Sequence, residues 1–175
     1  MTHADTVLSV AVESIRVPLV IRDPRMPEEF RGTQSDDWTL SVDLAPTILG
    51  AANLPPSEFM QGRDMSQLYR FHKVDGPPKW RQDWFYEYNR GDPETAAHHE
   101  GKFWIDASFA LITKEWKYIY WPQHQYEQIF HRPSDPFEEN DLLNGTKVQP
   151  SDEVYSKLKA RYTFLKAWVQ SGKPV

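Results

Sequence analysis

The rhythm of apolar and polar positions changes twice along the chain. Between Ile15 and Arg22, residues Val17, Leu19, Val20 and Ile21 are apolar on both parities. That pattern predicts a short strand covered on both faces, as in the sheet of an α/β protein. Pro18 cannot donate to a ladder, so the strand should begin beside it or run along a sheet edge. Asp23-Pro24-Arg25 stops it. From Asp43 the spacing turns helical, and Leu44, Ile48 and Ala51 or Ala52 form an apolar stripe. Asp43 is a good N-cap, and Pro46 falls in the first turn, where a missing N–H costs nothing. Pro55-Pro56 should end this helix. Gly76-Pro77-Pro78, inside a polar stretch, is the clearest boundary in the chain.

Beyond that boundary the period becomes two. Trp84–Tyr88, Phe109–Thr113, Trp116–Trp121 and Tyr126–Phe130 read as four strands rich in aromatic and β-branched residues. In the third, Trp116, Tyr118 and Tyr120 share one face, and Lys117, Ile119 and Trp121 the other. The tight Lys114-Glu115 turn and the short spacings imply an antiparallel meander. A long polar loop, Asn89 to Lys102, separates the first two strands. The last element is a helix capped by Ser151 or Asp152, with Val154, Leu158, Arg161, Leu165 and Trp168 along one face, broadened by Tyr162. Gly172 and Pro174 close it. The fold class is therefore α/β, becoming α+β in the second half, where about four antiparallel strands pack on a C-terminal helix.

Composition narrows the function. The 175 residues carry 14% aromatics, which supports a packed core. A net charge of −5 without any basic block argues against nucleic acid as a partner. No apolar run reaches the length of a membrane span, and no signal peptide is visible. There is no Cys, so disulfides, thiolate metal sites and Cys nucleophiles are excluded, and the compartment stays unspecified.

Several segments, in order, carry a family resemblance. Glu13-Ser14-Ile15-Arg16-Val17-Pro18-Leu19, Val42-Asp43-Leu44-Ala45-Pro46-Thr47-Ile48-Leu49 and Met60-Gln61-Gly62-Arg63-Asp64 resemble the C-terminal third of a sulfatase. So do Ala110–Ile119, Tyr126–Phe130 and the acidic turn Ser134–Leu142. The resemblance covers residues 13–168. It implies the end of an alkaline-phosphatase-like α/β sandwich in residues 1–79 and the sulfatase C-terminal subdomain in residues 80–175. Two departures stand out. The family usually carries a sulfate-contacting Lys just before the Glu-Ser-Ile-Arg-Val-Pro segment, whereas Ala4–Ala11 contains none. His131-Arg132 replaces a customary Asp-Leu pair.

The chemistry implied by the resemblance lies mostly outside this chain. Sulfatases attack sulfur with a formylglycine made within Cys/Ser-x-Pro-x-Arg. The nearest match, Ser134-Asp135-Pro136-Phe137-Glu138, has Glu in place of Arg and sits in the acidic turn, so it is rejected. No catalytic residue and no metal ligand is assigned. Formylglycine and Ca²⁺ are expected only in a full-length parent, a sulfuric ester hydrolase acting on sulfated carbohydrate. That parent is expected to be secreted, periplasmic or lysosomal. The chain itself is expected to be an inactive C-terminal fragment that associates with an upstream sulfatase segment. The alternative is a non-catalytic module binding sulfated glycan or a partner subunit.

His98, His99 and Lys102 are the candidate substrate-binding residues. The resemblance implies that their loop faces the substrate pocket, where they would contact a sugar or a carboxylate. A metal reading of His98-His99-Glu100 needs a further ligand such as His124 or His131, and neighbouring His residues on an extended chain point apart. Asp36-Asp37 and the acidic run Asp135, Glu138, Glu139 and Asp141 are read as solvated rather than metal-binding. The aromatics from Trp84 to Trp121 are read as core rather than as a sugar platform. Asn144-Gly145-Thr146 is a glycosylation sequon that an Asn-Gly turn explains equally well.

Overall fold

The computed structural model describes residues 10–70, 79–89, 106–144 and 151–172. The described residues among Met1–Pro18 and Asp83–Ala167 form one compact unit, and those among Leu19–Gln82 and Trp168–Val175 another.

The first unit is built on one antiparallel sheet in the order β1 (Asp83–Tyr88), β2 (Ser108–Thr113), β3 (Trp116–Trp121) and β4 (Tyr126–His131). Phe85 lies opposite Leu111, Leu111 opposite Tyr118, and Tyr118 opposite Ile129, so these four make one row across a single face. Helix α4 (Asp152–Gln170) supplies Leu158, Tyr162 and Leu165, all buried. The Tyr162 ring lies 5.6 Å from that of Phe85 and 5.0 Å from that of Tyr118, which places the helix over this face. Ser151 Oγ accepts the Val154 N–H at 3.2 Å, a conventional N-cap, and Gly172 closes the helix at φ +64°. Complete burial of Leu111 alone contributes about 2 kcal/mol. The predicted strands, turn and helix are all present, with strand ends moved by one residue at most.

The acidic turn after β4 is held by its own side chains. The Asp135 carboxylate accepts the N–H groups of Glu139 and Asn140, and Asp141 accepts those of Ile129 and Leu143 and the Tyr126 hydroxyl. These carboxylates are therefore not the solvated face the sequence suggested. Main-chain donors with no ladder partner recruit them. Arg132, a departure from the sulfatase pattern, donates to the carbonyls of Thr113 and Lys114 and so ties down the β2–β3 turn.

In the second unit, α2 (Leu44–Ala51) follows a 3₁₀ turn at Ser41–Asp43. It ends before Pro55. Asn53 adopts φ +56°, its N–H reaches Gly50 O, and the Leu54 N–H reaches Leu49 O. This pair of bonds is a Schellman stop with Asn in the left-handed position. The helix packs through Pro46 and Thr47, and the expected stripe of Leu44 and Ile48 faces outward. A short helix, α3 (Gln67–Arg70), carries the buried Tyr69, whose hydroxyl donates to Asp23.

The expected strand at Ile15–Arg22 does not form. Val12–Ile15 is one helical turn, α1, and residues 16–22 are irregular. A strand exists only when paired, and the four described strands pair with one another alone. Pro18 further removes one donor. Val17 and Val20 are accordingly exposed. No described helix is long and apolar enough to cross a membrane.

Candidate functional site

The Gln61-Gly62-Arg63-Asp64 segment converges on Asp43. Asp43 is fully buried, and its carboxylate accepts the Leu40 N–H at 2.7 Å and the Arg63 N–H at 2.8 Å. Both terminal nitrogens of Arg81 also donate to it, one at 2.6 Å. The Arg81 and Arg63 guanidinium groups lie over the Trp80 ring, at 5.0 and 5.8 Å from its centroid. Burial, reinforced by the neighbouring Arg81 charge, pulls the Arg63 pKa down. Gly62 has no room for a side chain, because a Cβ would run into the Val42 carbonyl. Every oxygen of Asp43 is engaged. Protein donors leave no carboxylate oxygen open to a metal ion, and this motif serves here as a structural node.

A second cluster lies at the end of the sheet where the β1–β2 connection leaves. His98, His99 and Lys102 fall in that connection and lie outside the described residues. Its roots are described. Tyr88 pairs with Ser108 at the last register position, and Trp121 pairs with Tyr126 at the mouth of the β3–β4 turn. Between them, His124 Nε2 meets Asp106 Oδ2 at 2.7 Å, with both side chains partly exposed. An imidazole held by a carboxylate on an exposed turn can present its other nitrogen to a polar ligand.

His131 sits at the opposite end of β4. Its Nδ1 faces Ser134 Oγ at 2.7 Å, and its Nε2 lies 3.7 Å from Glu115. Six-residue strands place His124 and His131 about 17 Å or more apart, so the two cannot share one metal. Among the described residues, no group of three or more His, Asp or Glu is placed to hold a metal ion. Asp135 and Asp141 are spent on main-chain donors and Glu138 on Lys117, so the described acidic turn does not fit Ca²⁺. Among the described aromatics from Trp84 to Trp121, Phe109, Tyr118 and Trp121 are buried, and Trp84, Phe85, Tyr86, Tyr88, Trp116 and Tyr120 are partly exposed.

Two ionic contacts with both side chains buried were not foreseen among the described residues: Asp43–Arg81 and Lys117–Glu138. The second left a trace in the sequence. Lys117 shares its strand parity with Ile119 and Trp121, an ionisable side chain in an apolar row.

Residues 9–167 match the family described as N-sulphoglucosamine sulphohydrolase, C-terminal. An arylsulfatase of Clostridium perfringens is 25% identical over 146 residues, covering 83% of this chain and 27% of that protein. An N-acetylglucosamine-6-O-sulfatase of Bacteroides thetaiotaomicron is 24% identical over 147 residues, 83% of this chain and 24% of that protein. A solved structure in complex with its substrate D-glucosamine-2-N,6-O-disulfate shares the fold, with a TM-score of 0.53 at 19% identity, covering 76% of this chain and 24% of that one. The chain thus spans about a quarter of the length of these relatives.

Proposed function

The chain belongs to the N-sulphoglucosamine sulphohydrolase C-terminal family, and on that premise we propose that it is the C-terminal portion of a sulfuric ester hydrolase whose full-length form acts on sulfated carbohydrate. The family match over residues 9–167 carries this reading. The two relatives, one named an arylsulfatase and the other an N-acetylglucosamine-6-O-sulfatase, support the substrate class.

In this reading the nucleophile and the metal belong to the rest of the parent. Ca²⁺ bound there would supply positive charge against the sulfate oxygens. The present chain has no Cys, and its one Ser-x-Pro-x-Glu stretch is structural, because Glu138 is bonded to Lys117. Alone it performs no sulfate turnover. Its contribution is the β1–β2 loop, whose His98, His99 and Lys102 carry donors and positive charge suited to a sulfated sugar. The exposed apolar residues Val42, Ile48 and Phe59 of the second unit suit association with an upstream sulfatase segment. Reading the transcript upstream of Met1 tests this. An in-frame extension carrying Cys/Ser-x-Pro-x-Arg supports it, and a stop codon directly upstream contradicts it.

A second reading is favoured by the closed core of the first unit, in which Ala110, Leu111 and Ile129 are fully buried. Such a core suits a self-standing module that binds sulfated glycan without hydrolysing it. A cooperative melt of the chain alone, together with calorimetric binding of a sulfated disaccharide, would favour this module over the hydrolase portion.

A further inference from the structure

Lys117 occupies an unusual place for an ammonium group. It lies on the inner strand β3, one residue in from the β2–β3 turn, opposite Ile112 on β2 and Phe130 on β4, and it is 1% exposed. Its Nζ donates to the Val10 carbonyl and to both carboxylate oxygens of Glu138, at 2.7 and 2.5 Å. Glu138 reaches this position from a left-handed backbone, φ +59°, which residues other than Gly and Asn rarely adopt. Its carboxylate also accepts the Val12 N–H. The pair therefore grips the chain on either side of Ala11, one carbonyl before it and one N–H after it. Val10 itself is fully buried.

The energetics argue against a stabilising role. Burial pulls the Lys117 pKa down and pushes that of Glu138 up, so for each partner desolvation outweighs the return from pairing. The other charges near the pair are Glu13 on α1 and Arg132 after β4, and Arg16 in turn lies near Arg132. They do not reverse either shift. Buried ion pairs of this kind can be replaced by apolar side chains without loss of stability, whereas removing one partner is costly. An apolar pair could fill the same space, but it could not hold the Val10 carbonyl and the Val12 N–H.

We infer that Lys117 and Glu138 form a positioning device that fixes where Val10–Ile15 docks on β3, rather than a source of stability. This role requires no substrate.

The test uses the full chain and the double variant Lys117→Met with Glu138→Gly, which removes both charges and relaxes the left-handed position. The amides to follow are Ser14, Ile15 and Arg16, which close the α1 turn onto Ala11 and Val12. Their hydrogen exchange should accelerate at least ten-fold, while Leu111, Tyr118 and Ile129 exchange as before and the Tm stays the same or rises. Exchange at residues 14–16 as slow as in the parent chain would overturn the inference. So would a double variant that melts well below the parent or fails to fold, because a positioning pair is dispensable for folding. Glu138→Gln leaves Lys117 buried without its charged partner, so it should lower the Tm and accelerate these three amides more than those of Leu111, Tyr118 and Ile129. An acceleration spread evenly over the sheet would contradict the inference.

Discussion

Arg81 closes on Asp43 with both terminal nitrogens across 38 positions of sequence. Asp43 begins α2, Arg81 follows the polar stretch that ends near Lys79, and Arg63 adds its main-chain N–H to the same carboxylate. The second unit is thus tied together by a buried charge pair in a region with little apolar core. Asp43→Asn leaves the Arg81 guanidinium buried opposite a neutral amide. The expected cost is about 3 kcal/mol, seen as a lower denaturant midpoint with an unchanged slope.

Gly62 offers a sharper test of the same node. Gly62→Ala should destabilise by roughly 1–3 kcal/mol, because the added methyl meets the rigid Val42 carbonyl. Gly50→Ala is the control. Its methyl meets the carboxylate end of the Asp64 side chain rather than rigid main chain, and alanine suits a helix interior better than glycine. Chemical denaturation of both variants should rank Gly62→Ala as the more damaging.

In the first unit, the Tyr162 hydroxyl is buried with no hydrogen-bond partner among the described residues, although its ring packs between Phe85 and Tyr118. Tyr162→Phe keeps the ring and removes the unsatisfied group. It should leave stability unchanged or raise it by up to about 1 kcal/mol. Tyr162→Ala should instead cost about 3–5 kcal/mol.

Alkaline pH should weaken the fold through Tyr126. Burial, with the bond to Asp141, pushes this phenol up to about 12. The unfolded phenol ionises near pH ~10. Between those values the unfolded chain loses its proton first, so the contribution is whole below pH ~10 and falls as pH rises toward 12. Tyr126→Phe should show a smaller loss of midpoint across that window. Tyr69, also raised to about 12 by burial and by its bond to Asp23, provides a parallel case in the second unit.

The sheet and its helix were legible because their stabilisation is local in pattern. Alternating aromatics, a two-residue turn and a Ser-capped amphipathic run each point to one structure. What was not legible depends on distant partners. The strand expected at Val17–Ile21 needs neighbouring strands, and periodicity cannot say whether they exist. Leu44 and Ile48 look like a core stripe, yet Pro46 and Thr47 take the buried side because Asp43 is anchored to Arg81 and Arg63. The acidic turn looked solvated because sequence does not reveal that main-chain N–H groups at Ile129, Glu139 and Asn140 lack ladder partners. Of the candidate site, the strands that flank the loop were readable, ending at Tyr88 and resuming at Phe109, whereas the His124–Asp106 contact, 18 positions apart, was not.

The most direct test of the central claim is sulfate release from an aryl sulfate by the purified 175-residue chain, with Ca²⁺ present. Release at the level of buffer alone is predicted, since the proposed function assigns the nucleophile to the rest of a full-length parent. Turnover that rises in proportion to chain concentration would contradict the account and place a complete active site within these residues.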